Sequence, residues 1–124
     1  MIDLEYFKYT EFDSPDQKNS GINMHPEFLQ KLEKARGIAN FPFIISSGYR
    51  SQNFNEKLRQ DGYSASKNSS HLIGRAVDIR VKDSAHRLQL LEALQQAGFK
   101  RFGVAKGFIH VDDDPSKPNC LWTY

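Results

Sequence analysis

Three residues of this chain have the types and spacing to hold a metal ion: His71, Asp78 and His110. Asp78 and His110 each interrupt a short segment that reads as a strand. In 76–81, Val77, Ile79 and Val81 alternate on one side and Ala76, Asp78 and Arg80 take the other; in 108–112, Ile109 and Val111 share a side, opposite Phe108, His110 and Asp112. If the aliphatic sides line one core, Asp78 and His110 meet on the other surface, in a groove across the sheet. His71 lies seven positions before Asp78 on a loop that Gly74 lets turn tightly, and Ala76 keeps the groove floor small. Zinc binds neutral imidazole and carboxylate at about 2.0–2.2 Å, and a catalytic site takes three protein ligands and leaves a fourth position to water. The pKa of that water falls to about 7, which makes it a nucleophile at neutral pH.

The elements that must position these residues follow from the rest of the chain. The first 24 residues are polar and turn-rich, with Ser14-Pro15-Asp16 and Ser20-Gly21 as breakers. A helix starts at Pro26, repeats Phe28, Leu32 and Ala35 on one face and is expected to stop at Gly37. Residues 43–45 read as a buried strand closed by Ser46-Ser47-Gly48, residues 51–60 as a short helix and residues 61–70 as a loop. Asp83 or Ser84 caps a helix running to about Ala97, with Leu88, Leu91 and Leu94 inward and Gly98 ending it. Residues 101–105 and 108–112 are two further strands. Without regular β-α-β alternation, this predicts an α+β fold, helices packed on a small, mostly antiparallel sheet.

At 124 residues, 39% hydrophobic and 12% aromatic, the chain can bury one core and is expected to form a single domain, 1–124. A net charge of +2, with basic residues scattered rather than striped, gives no case for nucleic acid. No apolar run is long enough for a membrane span, so no membrane insertion is expected. The single cysteine, Cys120, excludes an intrachain disulfide and a site built on several thiolates, and is expected to be a half-buried thiol. His25 and His86 read as surface residues at helix starts, 112–115 as an acidic turn, and Trp122 and Tyr124 as packing the C-terminal segment onto the body, although an aromatic near a groove rim could hold a peptide stem.

Ser47-Gly48-Tyr49-Arg50-Ser51, Ser69-Ser70-His71-Leu72-Ile73-Gly74-Arg75-Ala76-Val77-Asp78 and Phe108-Ile109-His110-Val111-Asp112 together resemble the zinc D-alanyl-D-alanine carboxypeptidase and L-alanyl-D-glutamate endopeptidase family, which shares its fold with the hedgehog signalling domain. The resemblance runs from about residue 6 to the C-terminus and is nearest to a small phage-like single-domain branch. It implies one zinc per chain on His71, Asp78 and His110. It implies that Arg50 approaches the scissile carbonyl, where a guanidinium can hold the developing oxyanion. It also implies that Ser69 binds substrate, unless its hydroxyl only stabilises the loop. The substrate would be a peptidoglycan stem peptide, and the default state a monomer.

One departure stands out. The family usually carries Asp or Glu three residues before the last zinc histidine, and here that position is Gly107. Asp112 on the same strand face could serve as base, or instead accept an imidazole N–H; Glu56 or Asp61 could reach in; or the chain could be a zinc-containing cell-wall-binding domain with little or no hydrolytic activity. No secretory signal is visible at the N-terminus. The expectation is therefore synthesis in a cytoplasm and action on the bacterial wall, after phage lysis or from a phage particle.

Overall fold

Val77, Ile79, Ile109 and Val111 are all fully buried, and their alternation decides which face of the sheet meets the helices. The computed structural model describes all 124 residues. Its elements run α1 (Pro26–Ile38), β1 (Ile45–Ser47), α2 (Gln52–Gln60), β2 (Ala76–Arg80), α3 (Ser84–Gln96), β3 (Arg101–Val104), β4 (Phe108–Asp112) and β5 (Cys120–Thr123). The five strands form one sheet in the order β1-β2-β4-β3-β5, antiparallel except for the β3–β5 pair. Phe28, Leu29, Leu32 and Ala35 of α1 and Leu90, Ala93 and Leu94 of α3 pack with the aliphatic face of the sheet into one core, joined by Phe7 and Phe12 from the N-terminal segment. The α+β expectation holds.

The register carries the site. Ser47 lies opposite Asp78, Asp78 opposite His110, His110 opposite Gly103, and Gly103 opposite Trp122. Directly opposed residues share a face, so these five form one row across all five strands, on the side away from the core.

Several boundaries differ from the expectations. The first strand begins only at Ile45: Phe43 is buried, but Ile44 is 57% exposed and does not pair as part of a strand. Helix α1 passes through Gly37 to Ile38, with the Tyr6 ring packed over the glycine. The inward stripe of α3 is Leu90, Ala93 and Leu94, continued by Ala97, while Leu88 is exposed. A run of every third residue drifts off a 3.6-residue stripe, which explains why Leu88 fell on the wrong side. Asp83 is the cap of α3, accepting from the His86 amide at 2.8 Å. Strand β5 was not foreseen, and Cys120 in it is exposed rather than half-buried.

Gly48 joins the N-terminal segment to the sheet. A Cβ there would lie 2.7 Å from Phe12 Cα and 2.9 Å from Phe12 O, closer than backbone can yield. The close approach lets the Tyr49 amide donate to the Phe12 carbonyl at 2.9 Å. Gly48→Ala is expected to cost about 1–3 kcal/mol of stability, as overpacking does, read from chemical denaturation; a variant as stable as the wild type would contradict this contact.

The acidic turn after β4 is a folded element. Asp113 pairs with Arg75 at 2.9 Å, and Asp114 accepts from Ser70 Oγ and Ser116 Oγ, each at 2.7 Å. Burial alone would push the Asp114 pKa up, but the hydrogen bonds from Ser116 and Ser70, with Lys117 nearby, bring it down to about 2. A depressed folded pKa contributes stability that is complete above the ordinary value and lost as pH falls through the folded one. Asp114→Asn should therefore cost up to about 2 kcal/mol at pH 7. Its deficit against the wild type should shrink as pH falls from about 4 to about 2; a deficit independent of pH would contradict this reading.

Candidate metal centre and active site

His71 enters the site on a single 3-10 turn, Ser70–Ile73, whose cap is Ser69: the Ser69 hydroxyl accepts from the His71 amide at 3.2 Å. Gly74 leaves that turn with φ +70°, as the sharp turn requires. The His71 ring is buried, and its Nδ1 lies 2.7 Å from the Gly48 carbonyl oxygen. A carbonyl only accepts, so Nδ1 carries the proton and Nε2 is a bare lone pair. Asp78 Oδ1 is 3.3 Å from Nε2, but with the proton on Nδ1 both atoms are acceptors, and Nε2 has no hydrogen-bond partner. Burial lowers the His71 pKa despite the opposing pull of Asp78, so the ring is neutral at neutral pH.

His110 and Asp78 face each other across β4 and β2, with His110 Nδ1 3.0 Å from Asp78 Oδ1. The other ring nitrogen, Nε2, is 2.7 Å from Asp112 Oδ2. Asp112 is itself fixed: Oδ1 accepts from Arg101 Nε at 2.6 Å and from the Asp114 amide at 3.2 Å, while Arg101 also donates to the Pro118 carbonyl. Burial opposes charge on each of these groups, yet mutual attraction prevails. Against burial, the paired histidines hold Asp78 well below the usual carboxylate range, and hydrogen bonds to Asp112 and Asp78 raise His110.

One ligand atom from each of His71, Asp78 and His110 lies within 4.8 Å of the other two. The donor set fits zinc: two imidazoles and one carboxylate, each imidazole oriented by an acceptor on its far nitrogen. A cation also accounts for the His71 lone pair, which otherwise faces a carboxylate oxygen without a proton between them. Metal binding at His110 Nδ1 would displace the proton that its raised pKa favours.

The row opens into a cavity of about 650 Å³. Arg50 lines it, donating through Nε to Ser47 Oγ at 3.1 Å, through one terminal nitrogen to Asn55 Oδ1 at 3.4 Å, and through the other to Asp78 Oδ2 at 3.5 Å. Burial lowers the Arg50 pKa and Asp78 opposes that, but a guanidinium stays charged regardless. Ser69 also lines the cavity. Its only carboxylates are Asp78 and Asp112. Gly107 sits in the β3–β4 turn with open space around it, Glu56 pairs with Arg59 at 2.7 Å, and Asp61 is exposed; none of the three reaches the cavity.

Two contributors escaped the sequence reading. The Gly48 carbonyl orients His71, and Arg101 orients Asp112. Trp122 and Tyr124 line the cavity from β5 and the residue following it, rather than simply packing the C-terminal segment down. The Trp122 ring lies 5.4 Å from the His110 ring and 5.0 Å from the Arg101 guanidinium. It can do so because Gly103 has no side chain: a Cβ there would meet the indole nitrogen at 2.5 Å. A readable signal was the alternation Trp122-x-Tyr124. His25 and His86 stay outside the site; each ring accepts from a nearby backbone amide at a helix start.

Comparison with known proteins gives a consistent family. A family model described as Peptidase M15 matches residues 5–112. A probable peptidoglycan L,D-endopeptidase MepK from Haemophilus influenzae is 32% identical over 112 residues, covering 81% of this chain and 56% of that protein. The peptidoglycan L,D-endopeptidase MepK of Escherichia coli K12 is 25% identical, over 94% of this chain and 65% of its own length. This chain thus spans between half and two thirds of the curated relatives it matches. The crystal structure of the Serratia marcescens L-Ala D-Glu endopeptidase ChiX superposes with a TM-score of 0.54 and 25% identity, covering 61% of this chain and 62% of the other.

The Asp112–His110 bond should matter to metal affinity. Asp112→Asn keeps an acceptor for Arg101 but removes the charge on the imidazole, and zinc affinity is expected to fall roughly 10–100-fold. Competition with a chromophoric chelator measures it; unchanged affinity would show that Asp112 has no part in presenting His110.

Proposed function

The chain belongs to the peptidase M15 family, and from that premise we propose that it is a zinc-dependent endopeptidase acting on peptidoglycan stem peptides. His71, Asp78 and His110 would hold the metal. When bound, zinc supplies a Lewis-acid charge and lowers the pKa of water to about 7. The observation that carries the reading is the buried, unpartnered His71 Nε2, within 4.8 Å of ligand atoms of Asp78 and His110 on one cavity wall.

The chain's own groups divide the remaining work. Asp112 orients His110; with both its oxygens engaged, it is a positioning residue rather than the base. Arg50, buried and held by Ser47, Asn55 and Asp78, presents fixed positive charge to the carbonyl oxygen as it becomes anionic. Ser69, at the cavity edge of the His71 turn, binds the substrate backbone.

Endopeptidase action is favoured over carboxypeptidase action by the cavity's cations. Capture of a free substrate carboxylate needs an uncommitted positive group. Of the two arginines lining the cavity, Arg101 is committed to Asp112, and Arg50, held beside the metal ligands by Ser47, Asn55 and Asp78, is taken by the scissile carbonyl, which leaves no second cation for a carboxylate. Arg75 is paired with Asp113, and Arg80 lies outside the cavity. The relatives described above carry endopeptidase names, which supports the same choice. A second reading, a zinc-containing cell-wall-binding domain without efficient hydrolysis, draws on one observation: no free carboxylate lines the cavity.

Mass spectrometry of purified peptidoglycan digested by the full chain decides between them. Cleaved stem peptides should appear with zinc, vanish with a chelator and be absent for His71→Ala. Arg50→Lys should lower kcat by roughly 10²–10³-fold, the usual cost of one oxyanion donor. Wall binding without any cleaved product would favour the binding domain, and products unaffected by chelation would refute the metal centre.

A further inference from the structure

Tyr124 brings a hydroxyl into the cavity from the β5 side. Tyr124 follows β5, its amide donating to the Val104 carbonyl at 3.3 Å, and its ring lies 5.3 Å from that of Phe108. It stands two residues beyond Trp122, and so on the strand face that carries Gly103, His110 and Asp78. Of the serine hydroxyls near the metal ligands, Ser70 donates to Asp114, while Ser69 and Ser66 accept from the His71 and Asn68 amides on the opposite side of the cavity from β5. The Tyr124 side chain is half-exposed at the cavity mouth; its phenol oxygen accepts from Trp122, its hydrogen is donated to no group of the protein, and it senses the charges of Asp78, Arg50 and Asp112. Burial, with Asp78 and Asp112, raises its pKa, which keeps the proton on the oxygen at neutral pH.

We propose that the Tyr124 hydroxyl is a second hydrogen-bond donor to the scissile peptide group, acting from the β5 side of the cavity while Arg50 acts from the β1–α2 side. The inference rests on the endopeptidase reading above. A carbonyl under attack gains negative charge on oxygen, and donors already in place stabilise that charge more than they stabilise the resting peptide. Arg50 supplies a charged donor whose terminal nitrogens are partly engaged by Asn55 and Asp78. Tyr124 supplies a neutral donor whose hydrogen is free. The packing of its ring on Phe108 limits the entropy lost when it binds, and Gly103, by admitting the indole, places the whole Trp122–Tyr124 face over the ligand row.

Tyr124→Phe keeps the ring and removes only the donor. On the zinc-loaded full chain, kcat should fall about 10²-fold with KM changed less than about threefold. A phosphinic peptide, with the phosphinate replacing the amide that the wild type cuts, should bind the variant more weakly by a factor close to the loss in kcat/KM. Zinc content and melting temperature should match the wild type. A variant within about twofold of wild-type kcat would overturn the proposal. So would a loss of activity matched by loss of zinc, since that is what a purely structural tyrosine would give. A wild type that releases no product refutes the endopeptidase reading and this inference with it; an active wild type with an unaffected variant refutes only the role of Tyr124.

Discussion

The hydrogen bond between His71 Nδ1 and the Gly48 carbonyl governs the site. It places the ring proton on the side away from Asp78 and leaves a buried lone pair that no donor of the protein meets. A buried polar atom without a partner costs roughly 1–3 kcal/mol. The fold therefore holds a small unfavourable interaction at that point, which a divalent cation converts into a favourable one. His110 is handled by the same principle with a different acceptor, the Asp112 carboxylate, which is itself anchored by Arg101. Asp78 stands between the two rings, and its outer oxygen accepts from Arg50, which balances its charge.

That arrangement requires two close approaches, both made possible by absent side chains. At Gly48 the N-terminal segment comes against the strand end that supplies the His71 acceptor. At Gly103 the Trp122 indole lies against β3 beside His110. The first braces the metal ligands from below the groove, and the second builds its far wall. The first is made against Phe12 at the edge of the hydrophobic core, the second on the opposite, polar face of the sheet, so the core stabilises the sheet while the polar face is left to chemistry. This division follows from the two-residue period of β2 and β4, which sends Val77, Ile79, Ile109 and Val111 one way and Asp78 and His110 the other.

The same period made part of the site legible in sequence. Asp78 and His110 could be placed on one surface because each breaks an aliphatic alternation, and their pairing in register follows from adjacent strands. His71 had only a weak signal, its spacing before Asp78 and the following Gly74, which the family resemblance strengthened; its turn is positioned by the Gly48 carbonyl, a backbone atom with no mark in the sequence. Asp112 was readable as a neighbour of His110, but only Arg101 and the Asp114 amide show that both its oxygens are engaged. Strand β5 was hidden because it is four residues long, follows Pro118-Asn119 and pairs in parallel with β3 across a stretch that contains β4. In α3 the apolar residues are numerous enough to suggest two stripes, and packing on the sheet selects the one through Leu90.

The central claim is that an unprotonated His71 Nε2 waits for a cation shared with Asp78 and His110. Long-range ¹H–¹⁵N correlation of the histidine side chains during a zinc titration tests it most directly. The account predicts that metal-free His71 is the Nδ1–H tautomer, and that His71 Nε2 and His110 Nδ1 move together to metal-bound shifts, saturating at one zinc per chain. A His71 protonated at Nε2, or zinc that leaves both nitrogens unshifted, would contradict it.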